Sequence, residues 1–382
     1  MADATTSLWG NLENRYAKPS NRKILALDGG GIRGVITLEI LKKLENDLRE
    51  KLDKGPDFRL CDYFDYFGGT STGAIIAAGL SIGMSSKELL EFYTKKGKDM
   101  FDKAFLLKKW KSLYESGPLL KMLQDTFGKD TNMDIANGKF KTLLTVVTMN
   151  RTTDSPWPIS NNPLARYNDK KRPDNNQKIK LYQLVRASTA APAYFPPETL
   201  EWDAKDPKKT FVFVDGGVTP YNNPAFLLYR MATHPAYKLN WEKGEDKLLV
   251  VSVGTGSAPS GGEYRNLGNT LMQLPNNLMY AMQVDQDINC RTFGRCVFGN
   301  VIDRELGDMI PENATTQRDF RYVRYNADLS EHGLKALGLG DLDPEKVSQM
   351  DSVKYIKDLQ RVGSKTAKAQ VNVDHLGPFS QA

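Results

Sequence analysis

Residues 67–79 read Phe-Gly-Gly-Thr-Ser-Thr-Gly-Ala-Ile-Ile-Ala-Ala-Gly, with the pattern G-x-S-x-G centred on Ser71. This pattern is typical of a serine on a sharp turn from a strand into a helix, because small neighbours let the strained backbone fit. The preceding Tyr63–Phe67 predicts a short buried strand, and the small apolar residues 74–78 predict a compact helix. We therefore expect the Ser71 hydroxyl at a helix N-terminus, where free N–H groups favour developing negative charge. A simple Gly/Ser/Thr loop is the alternative.

The composition is that of an ordinary globular protein. The chain has 382 residues, of which 40% are hydrophobic and 26% charged, enough for one large domain with or without a small appendage. The net charge of +6 suits an approach to an anionic lipid surface. The dense Lys/Arg patch of a nucleic-acid binder is missing, so we expect no nucleic-acid partner.

Cysteine usage and the N-terminus predict a cytoplasmic protein. Cys61, Cys290 and Cys296 are an odd number without the spacing of a disulfide framework, which favours a reducing compartment. No histidine stands beside them at ligand spacing, so we expect neither a metal nor a cofactor. The first nine residues have no basic region and no apolar run, which is unlike a signal peptide.

Short apolar runs alternate with amphipathic segments along the chain. Strands are predicted at 23–27, 143–148, 211–214, 248–253 and, nearer an edge, 320–325; helices are predicted after Gly34, from the capping box Ser85/Glu88, and from Asp343-Pro344 to a stop at Gly363. This alternation predicts an α/β sheet with helices on both faces. We expect a loosely docked arm over 1–22, a catalytic domain over 23–330, and a C-terminal helix with a polar tail, disordered from Ser364, packed on the same domain over 331–382.

Two segments are open to more than one interpretation. Residues 100–127 combine apolar and basic side chains, which fits a helix that touches lipid or covers the site, and fits core packing with a solvated Lys face equally well. Residues 150–178 are rich in Asn, Pro, Lys and Arg and predict a surface loop.

A glycine-rich segment follows the first predicted strand. Gly29-x-Gly31-x-x-Gly34 matches the dinucleotide-binding pattern, which also needs an acidic residue ending a second strand about 20 positions on. Here that distance falls at 51–55, which reads as the end of a helix. The alternative is an oxyanion hole, in which consecutive glycine amides face one point and Arg33 adds a positive charge.

Asp215 ends another predicted strand and precedes two glycines. It could form a turn, or it could be the base that activates Ser71. A Ser-His-Asp triad would need one of His234, His332 and His375, and their surroundings indicate surface or structural roles. A Ser–Asp dyad is the more economical hypothesis.

Four blocks in order resemble the patatin-like phospholipases: Asp28-Gly-Gly-Gly-Ile-Arg-Gly34, Gly69-Thr-Ser-Thr-Gly73, Ala187-Ser-Thr-Ala-Ala-Pro-Ala-Tyr-Phe-Pro196 and Asp215-Gly-Gly217. Val253-Gly-Thr-Gly256 is similar to the family's next strand and turn, and the likeness continues weakly from Phe320 to Leu329. Residues 1–22 and most of 257–382 are not diagnostic.

The resemblance implies a three-layer α/β/α fold with a mostly parallel central sheet, distantly like the α/β-hydrolases, and metal-free hydrolysis of lipid acyl esters. Carried over, Ser71 is the nucleophile and Asp215 the base. The amides of Gly30 and Gly31, with Arg33, form the oxyanion hole.

The expected activity is a phospholipase A type acyl hydrolysis of glycerophospholipids at a membrane, with the protein bound peripherally. Some bacterial members of the family are antiviral phospholipases switched on by cyclic nucleotides, and plant members serve in storage. A cyclic-nucleotide-activated effector is therefore one alternative. A protein that binds a dinucleotide through Gly29–Gly34 is another.

Overall fold

The computed structural model describes residues 7–101, 118–192, 195–203, 206–257, 267–303, 305–308, 310, 317–351 and 353–381. Its strands are β1 Arg22–Leu27, β2 Tyr66–Thr70, β3 Leu143–Asn150, β4 Ser155–Ser160, β5 Glu198–Glu201, β6 Thr210–Asp215, β7 Leu248–Val253, β8 Arg295–Phe298 and β9 Arg321–Tyr325. The described strands form one sheet in the order β5-β6-β3-β2-β1-β7-β9-β8, and β4 pairs with β3.

The centre of this sheet is parallel. The pairs β1–β2, β2–β3, β1–β7, β7–β9 and β8–β9 are parallel, whereas β3–β4, β3–β6 and β5–β6 are antiparallel. All residues of β2 and β7 are buried, as expected for strands covered on both faces. The mostly parallel central sheet that the family resemblance implied is confirmed.

Helices flank the sheet. Their bounds are α1 Glu13–Tyr16, α2 Gly34–Lys51, α3 Leu60–Tyr63, α4 Thr72–Ser81, α5 Ser86–Phe101, α6 Pro118–Phe127, α7 Leu181–Ser188, α8 Ala225–Thr233, α9 Leu267–Phe293, α10 Glu331–Ala336, α11 Pro344–Ser348 and α12 Ile356–Gln370. None of the helices in the described ranges is long and apolar enough to cross a membrane.

Two adjacent glycines in β2 show that the helices form two layers. A Cβ on Gly68 would lie 2.6 Å from Leu228 of α8, and a Cβ on Gly69 would lie 2.1 Å from the Gly73 carbonyl oxygen of α4. Successive residues of a strand point to opposite faces. Helices α8 and α4 therefore cover opposite faces of β2, which gives the three-layer α/β/α arrangement.

Local signals predicted the capping box correctly but misplaced the start of β2. The capping box is present: the Ser85 hydroxyl accepts from Glu88 N at 3.1 Å, and the Glu88 carboxylate accepts from Ser85 N at 2.8 Å. The strand expected at Tyr63–Phe67 instead begins at Tyr66, because α3 occupies Leu60–Tyr63. The N-terminus of α3 is capped by Asp62, whose carboxylate accepts from the backbone N–H of Arg59 at 2.8 Å.

The segment 150–178 is not simply a surface loop. It contains β4, which pairs antiparallel with β3, and five buried asparagines: Asn150, Asn161, Asn162, Asn168 and Asn175. The Asn168 amide donates to Ser160 O at 2.8 Å and to Asn162 O, and Asn161 Oδ1 accepts from Leu144 N at 2.8 Å. Polar side chains are buried here because they satisfy backbone groups.

The segment 100–127 is described only in part. Helix α5 reaches Phe101, and α6 places Leu119, Leu123 and Phe127 in the core. These ends therefore pack in the core. The interpretation of 102–117 as a lid or a lipid contact lies outside the described residues.

The N-terminal arm is docked more firmly than predicted. Trp9 is buried and stacks on Tyr16, whose hydroxyl donates to Asp65 O at 2.7 Å. The Arg15 guanidinium donates to Cys61 O and Phe64 O, each at 2.7 Å. These bonds tie the arm to the N-terminal end of β2.

The C-terminal prediction was wrong in two respects. Asp343 caps α11 as expected, but α11 ends at Ser348, and a separate helix, α12, continues through Gly363 to Gln370. The tail from Ser364 is ordered, with a 3₁₀ segment over Val373–Ser380 that buries Leu376 and Phe379. Gly363 is a packing glycine, since a Cβ there would lie 2.9 Å from Ile36 Cα of α2.

Gly363→Ala therefore tests how α12 packs on α2. In an exposed helix this change would stabilise the protein by about 1 kcal/mol, but here it places a methyl group against backbone, and we expect a loss of about 1–3 kcal/mol in the free energy of unfolding. Urea denaturation measures the effect. Gly55→Ala is the control, because a Cβ at Gly55 has no atom within 4 Å among the described residues. A Gly363→Ala protein as stable as the wild type would contradict this packing.

Candidate active site

Ser71 lies on a strained turn between β2 and α4. Its φ is +54° and its ψ is −121°, a backbone conformation that costs a non-glycine residue about 1–3 kcal/mol. Crowding explains the small neighbours, since a Cβ on Gly73 would lie 2.2 Å from Leu27 O. Every residue of α4 is buried. The G-x-S-x-G pattern thus forms the predicted strand-to-helix turn.

Two hydroxyl groups hold this turn in place. The Ser71 amide donates to Ser188 Oγ at 2.9 Å, and that hydroxyl donates to Val147 O in β3 at 2.6 Å. The Thr70 hydroxyl donates to Tyr221 O at 2.6 Å. Ser188 lies in a block that the family resemblance had singled out, but the sequence assigned it no role.

The Ser71 hydroxyl donates to Asp215 Oδ2 at 2.6 Å. The other carboxylate oxygen, Oδ1, accepts from Gly217 N at 2.6 Å, which orients the carboxyl group. The structure therefore brings together the two side chains that the sequence proposed as a dyad.

Strand register explains this contact. β4 pairs with Thr145–Asn150 of β3, so the other edge of β3 is left for both β2 and β6. β2 pairs with Leu143–Val147, and β6 pairs with Thr148–Asn150, where Thr148 is the partner of Asp215. β2 and β6 thus meet end to end on one edge, and the residues at their ends become neighbours.

Burial gives Asp215 the electrostatics of a base. The side chain is 5% exposed, and burial raises its pKa to about 6, although the Ser71 hydroxyl, the Gly217 amide and the Arg186 cation each favour the charged form. A carboxylate with this pKa accepts a proton far more readily than an exposed aspartate, whose pKa is about 3.9.

Arg186, in α7, is a buried cation near this carboxylate. Burial lowers its pKa, and the charges of Glu198 and Asp215 oppose that effect. Its guanidinium lies over the Phe195 ring at 5.3 Å and donates to Pro196 O at 3.2 Å, while Nη1 has no hydrogen-bond partner in the described residues. Sequence reasoning missed Arg186, because no local pattern shows that its charge lies near Asp215, which belongs to a different element.

The glycine loop (residues 28–34) runs past the turn on both sides. A Cβ on Gly29 would lie 3.3 Å from Thr70 O, and one on Gly34 would lie 2.6 Å from Thr72 Oγ1. These two contacts place the glycine loop next to Ser71.

The amides at the middle of the glycine loop are available. Gly29 N donates to Asn222 O at 3.1 Å and Ile32 N donates to Met350 O at 2.9 Å, whereas the described residues offer no acceptor to the N–H groups of Gly30 and Gly31. Gly31 has φ +60°, and a Cβ there would lie 2.2 Å from Met350 O, so this position requires glycine. Two free amides in a loop that runs beside the Ser71 turn are candidate donors to an oxyanion.

Arg33 folds back on the same loop. It is buried, its Nε donates to Gly30 O at 3.4 Å, and burial lowers its pKa to about 10 while the charge of Asp28 raises it. It has no ion-pair partner within the described ranges. Its observed contact braces the glycine loop, and a direct role toward an oxyanion stays a prediction.

The three histidines, all in described segments, form no hydrogen bond to Ser71 or Asp215. His234 Nδ1 accepts from Ala236 N, His332 is exposed on α10, and His375 stacks on Phe298. The cysteines are free thiols, and the described residues hold no cluster of His, Cys, Asp or Glu that fits a metal.

Neither of two aspartates that precede β2, Asp53 and Asp65, is placed to bind the ribose of a dinucleotide. Asp53, at the expected distance from the glycine loop, is exposed just past the end of α2. Asp65 precedes β2 and lies at its N-terminal end, away from the glycine loop, where it accepts from Lys23 N at 2.9 Å. The residues present therefore do not fit a dinucleotide site of this type.

The chain is similar in sequence to known proteins. The model of the patatin-like phospholipase family matches residues 25–229, more than half of the chain. Patatin-17 of Solanum cardiophyllum is 32% identical over 249 residues, covering 61% of this chain and 60% of that protein. Patatin-2-Kuras 1 of Solanum tuberosum is 30% identical over 247 residues, covering 61% and 62%. The chain thus spans about three fifths of the length of these curated relatives.

Among solved structures, VipD from Legionella pneumophila aligns with a TM-score of 0.38 and 13% identity, covering 90% of this chain and 67% of that chain. The type III effector protein ExoU aligns with a TM-score of 0.32 and 14% identity, covering 95% and 54%. The family match includes the turn at Ser71, Asp215 and the glycine loop. This chain belongs to the patatin-like phospholipase family.

Proposed function

We propose that the protein is a lipid acyl hydrolase of the phospholipase A type, which cleaves fatty-acyl esters of glycerophospholipids through a Ser71–Asp215 dyad. The observation that carries this proposal is the 2.6 Å hydrogen bond from the Ser71 hydroxyl to a buried carboxylate at a strained strand-to-helix turn. Family membership supports the lipid substrate class and a peripheral contact with membrane.

In the proposed reaction Asp215 takes the proton of Ser71 while Oγ attacks the ester carbonyl carbon. The amides of Gly30 and Gly31 donate to the oxyanion, and each such donor is worth about 3–4 kcal/mol in the barrier. Asp215 then returns the proton to the departing alcohol, which leaves as the lysolipid. Water attacks the acyl-enzyme while Asp215 removes its proton, the ester bond to Ser71 breaks, and Asp215 gives the proton to the departing Oγ, which releases the fatty acid and restores Ser71.

A cyclic-nucleotide activator is a finer prediction of the family resemblance. The contacts at the site do not test this prediction. Fatty-acid release is therefore measured both with and without added cyclic nucleotides. Fatty-acid release that needs a nucleotide would assign the protein to the regulated effectors. Release without a nucleotide would assign it to the constitutive hydrolases.

Ser71→Ala and Asp215→Asn test the dyad. We expect Ser71→Ala to reduce fatty-acid release from phospholipid vesicles to background, by at least about 10³-fold, because the nucleophile is gone. Asp215→Asn should lower kcat by about 10²–10⁴-fold, because the base is gone while the hydrogen-bonding shape stays. The control changes His234, His332 and His375 together to Gln and should keep near-normal turnover. A folded triple variant without activity would disprove the dyad.

The pH profile tests Asp215 as the base. The base acts in its ionised form, and its pKa is raised to about 6. Below pH 6, kcat/KM should therefore fall about tenfold for each pH unit. Arg186→Gln removes a cation that favours the carboxylate, so the acid limb should move to higher pH. Arg186→Lys is the matched control and should move it less. An acid limb near pH 4 in the wild type would contradict a buried base.

Ionisation of Asp215 as the pH rises should lower the free energy of unfolding, whereas it should raise the activity. Its folded pKa of about 6 lies above the unfolded value near 3.8, so protonation favours the fold, and this contribution is lost as pH rises through 6. Asp215→Asn removes the buried charge. We expect it to raise the free energy of unfolding at pH 8 by up to about 3 kcal/mol, with no gain below about pH 4. Urea titrations at both pH values measure this; an equal gain at both would point to packing instead.

A further inference from the structure

We infer that Arg324, in β9, is a positioning residue for the oxyanion-binding amides and that it acts through the carboxylate of Asp28. The inference rests on the proposed acyl hydrolysis. It assigns a part in the site to a strand outside residues 25–229, the range that the family model matches.

Arg324 holds Asp28 with two parallel bonds. Nη1 donates to Asp28 Oδ1 at 2.9 Å and Nη2 donates to Oδ2 at 2.6 Å. Nη1 also donates to the Ser252 hydroxyl at 2.6 Å. The Asp28 side chain is fully buried and that of Arg324 is 5% exposed. A bidentate pair of this kind fixes orientation as well as distance, because both groups are planar.

Strand register shows how the contact spans the sheet. Ala26 of β1 pairs with Ser252 of β7, and Ser252 pairs with Arg324 of β9. The arginine is therefore two strands away, about 10 Å across the sheet. Its side chain passes Ser252 and reaches the residue that directly follows β1. Only a long cation with a forked end can bond both Ser252 and both oxygens of Asp28 from that position.

Asp28 is the first residue of the glycine loop. Its N–H donates to Val253 O at 3.1 Å, and its neighbour Gly29 is held by Asn222 O and by the Thr255 hydroxyl, which donates to Gly29 O at 3.0 Å. These other anchors are neutral hydrogen bonds. The amides of Gly30 and Gly31 follow directly, so rotation of Asp28 would change where they point.

Stability alone is a poor explanation for this pair. Taking two charges out of water costs free energy that their attraction only partly returns, so a buried ion pair is often no more stable than an apolar contact of the same size. What the pair supplies is a defined direction for the chain as it leaves β1. A displacement of about 1 Å in a reacting group is enough to slow a reaction about 10²-fold.

The test uses the full chain with Arg324→Met and Arg324→Lys, alongside wild type and Ser71→Ala. Three quantities are measured: kcat and KM for phospholipid vesicles, the rate of labelling by a fluorophosphonate, and binding of a non-hydrolysable ether phospholipid. In labelling, Ser71 Oγ attacks phosphorus and fluoride leaves, and the negatively charged phosphonyl oxygen takes the place of the oxyanion. Ether-lipid binding involves no such attack, so it reports ground-state binding alone.

Arg22→Met is the matched control. Arg22 is likewise a buried arginine, 4% exposed, at the opposite end of β1, where it lies 3.8 Å from Asp65. We expect it to lower stability and leave kcat per native molecule within twofold of wild type. It therefore measures what loss of a buried cation does to this sheet away from the glycine loop.

We expect Arg324→Met to lower kcat and the labelling rate together by about 10–100-fold, with KM and ether-lipid binding within about twofold. Arg324→Lys keeps the positive charge but lacks the forked guanidinium. We expect it to fold and to lower kcat and the labelling rate by about threefold to tenfold. This variant decides the matter where Arg324→Met does not fold.

Two results would overturn the inference. One is Arg324→Lys with kcat and labelling rate within twofold of wild type; the other is a rise in KM without a fall in kcat. Failure of the proposed function is a separate result. In that case the wild type would release no more fatty acid than Ser71→Ala, and the inference would fall with it.

Discussion

A β-strand has two hydrogen-bonding edges, and β3 divides one of its edges between β2 and β6. β4 occupies the other edge from Thr145 to Asn150, so the ends of β2 and β6 share what is left. This constraint places the residue after β2 beside the last residue of β6. The hydrogen bond between Ser71 and Asp215 is its direct consequence, and the chemistry proposed for the site depends on it.

The surrounding core sustains two unfavourable features at that junction. The Ser71 backbone is strained, and the Asp215 carboxylate is buried where its charge is poorly solvated. Neither would persist in a loosely packed protein. Here α4 is buried along its whole length, and Ser188 ties the turn to β3. Strain and desolvation at the site therefore depend on the sheet and helices that enclose it, which is the usual relation between stability and catalytic geometry.

The glycine loop is likewise held by residues from distant parts of the chain. Its backbone is held by Asn222, Thr255 and Met350, and its first residue is held by Arg324. Residues from β1 to the region after α11 therefore meet within one small volume. Ser71, Asp215 and the glycine loop come from the earlier part of the chain, and Thr255, Met350 and Arg324, which contact the glycine loop, come from the later part. The segment 257–382, which lacks diagnostic motifs, is in this sense structurally linked to the site.

The sequence by itself determined what depends on neighbours along the chain. The turn at Ser71, the glycine loop, the capping box at Ser85 and most strands could be predicted, because small residues, caps and apolar periods act over a few positions. The blocks that pointed to Asp215 were also local motifs.

What the tertiary structure decided depends on partners far away in sequence. Gly363 belongs inside a helix because α2 passes close to it, Asn168 is buried because backbone carbonyls accept from it, and the tail after Ser364 is ordered because β9 and α3 contact it. The parts played by Ser188, Arg186 and Arg324 likewise have no local signal, since hydrogen bonds and charge pairs across a sheet leave no pattern in a single sequence.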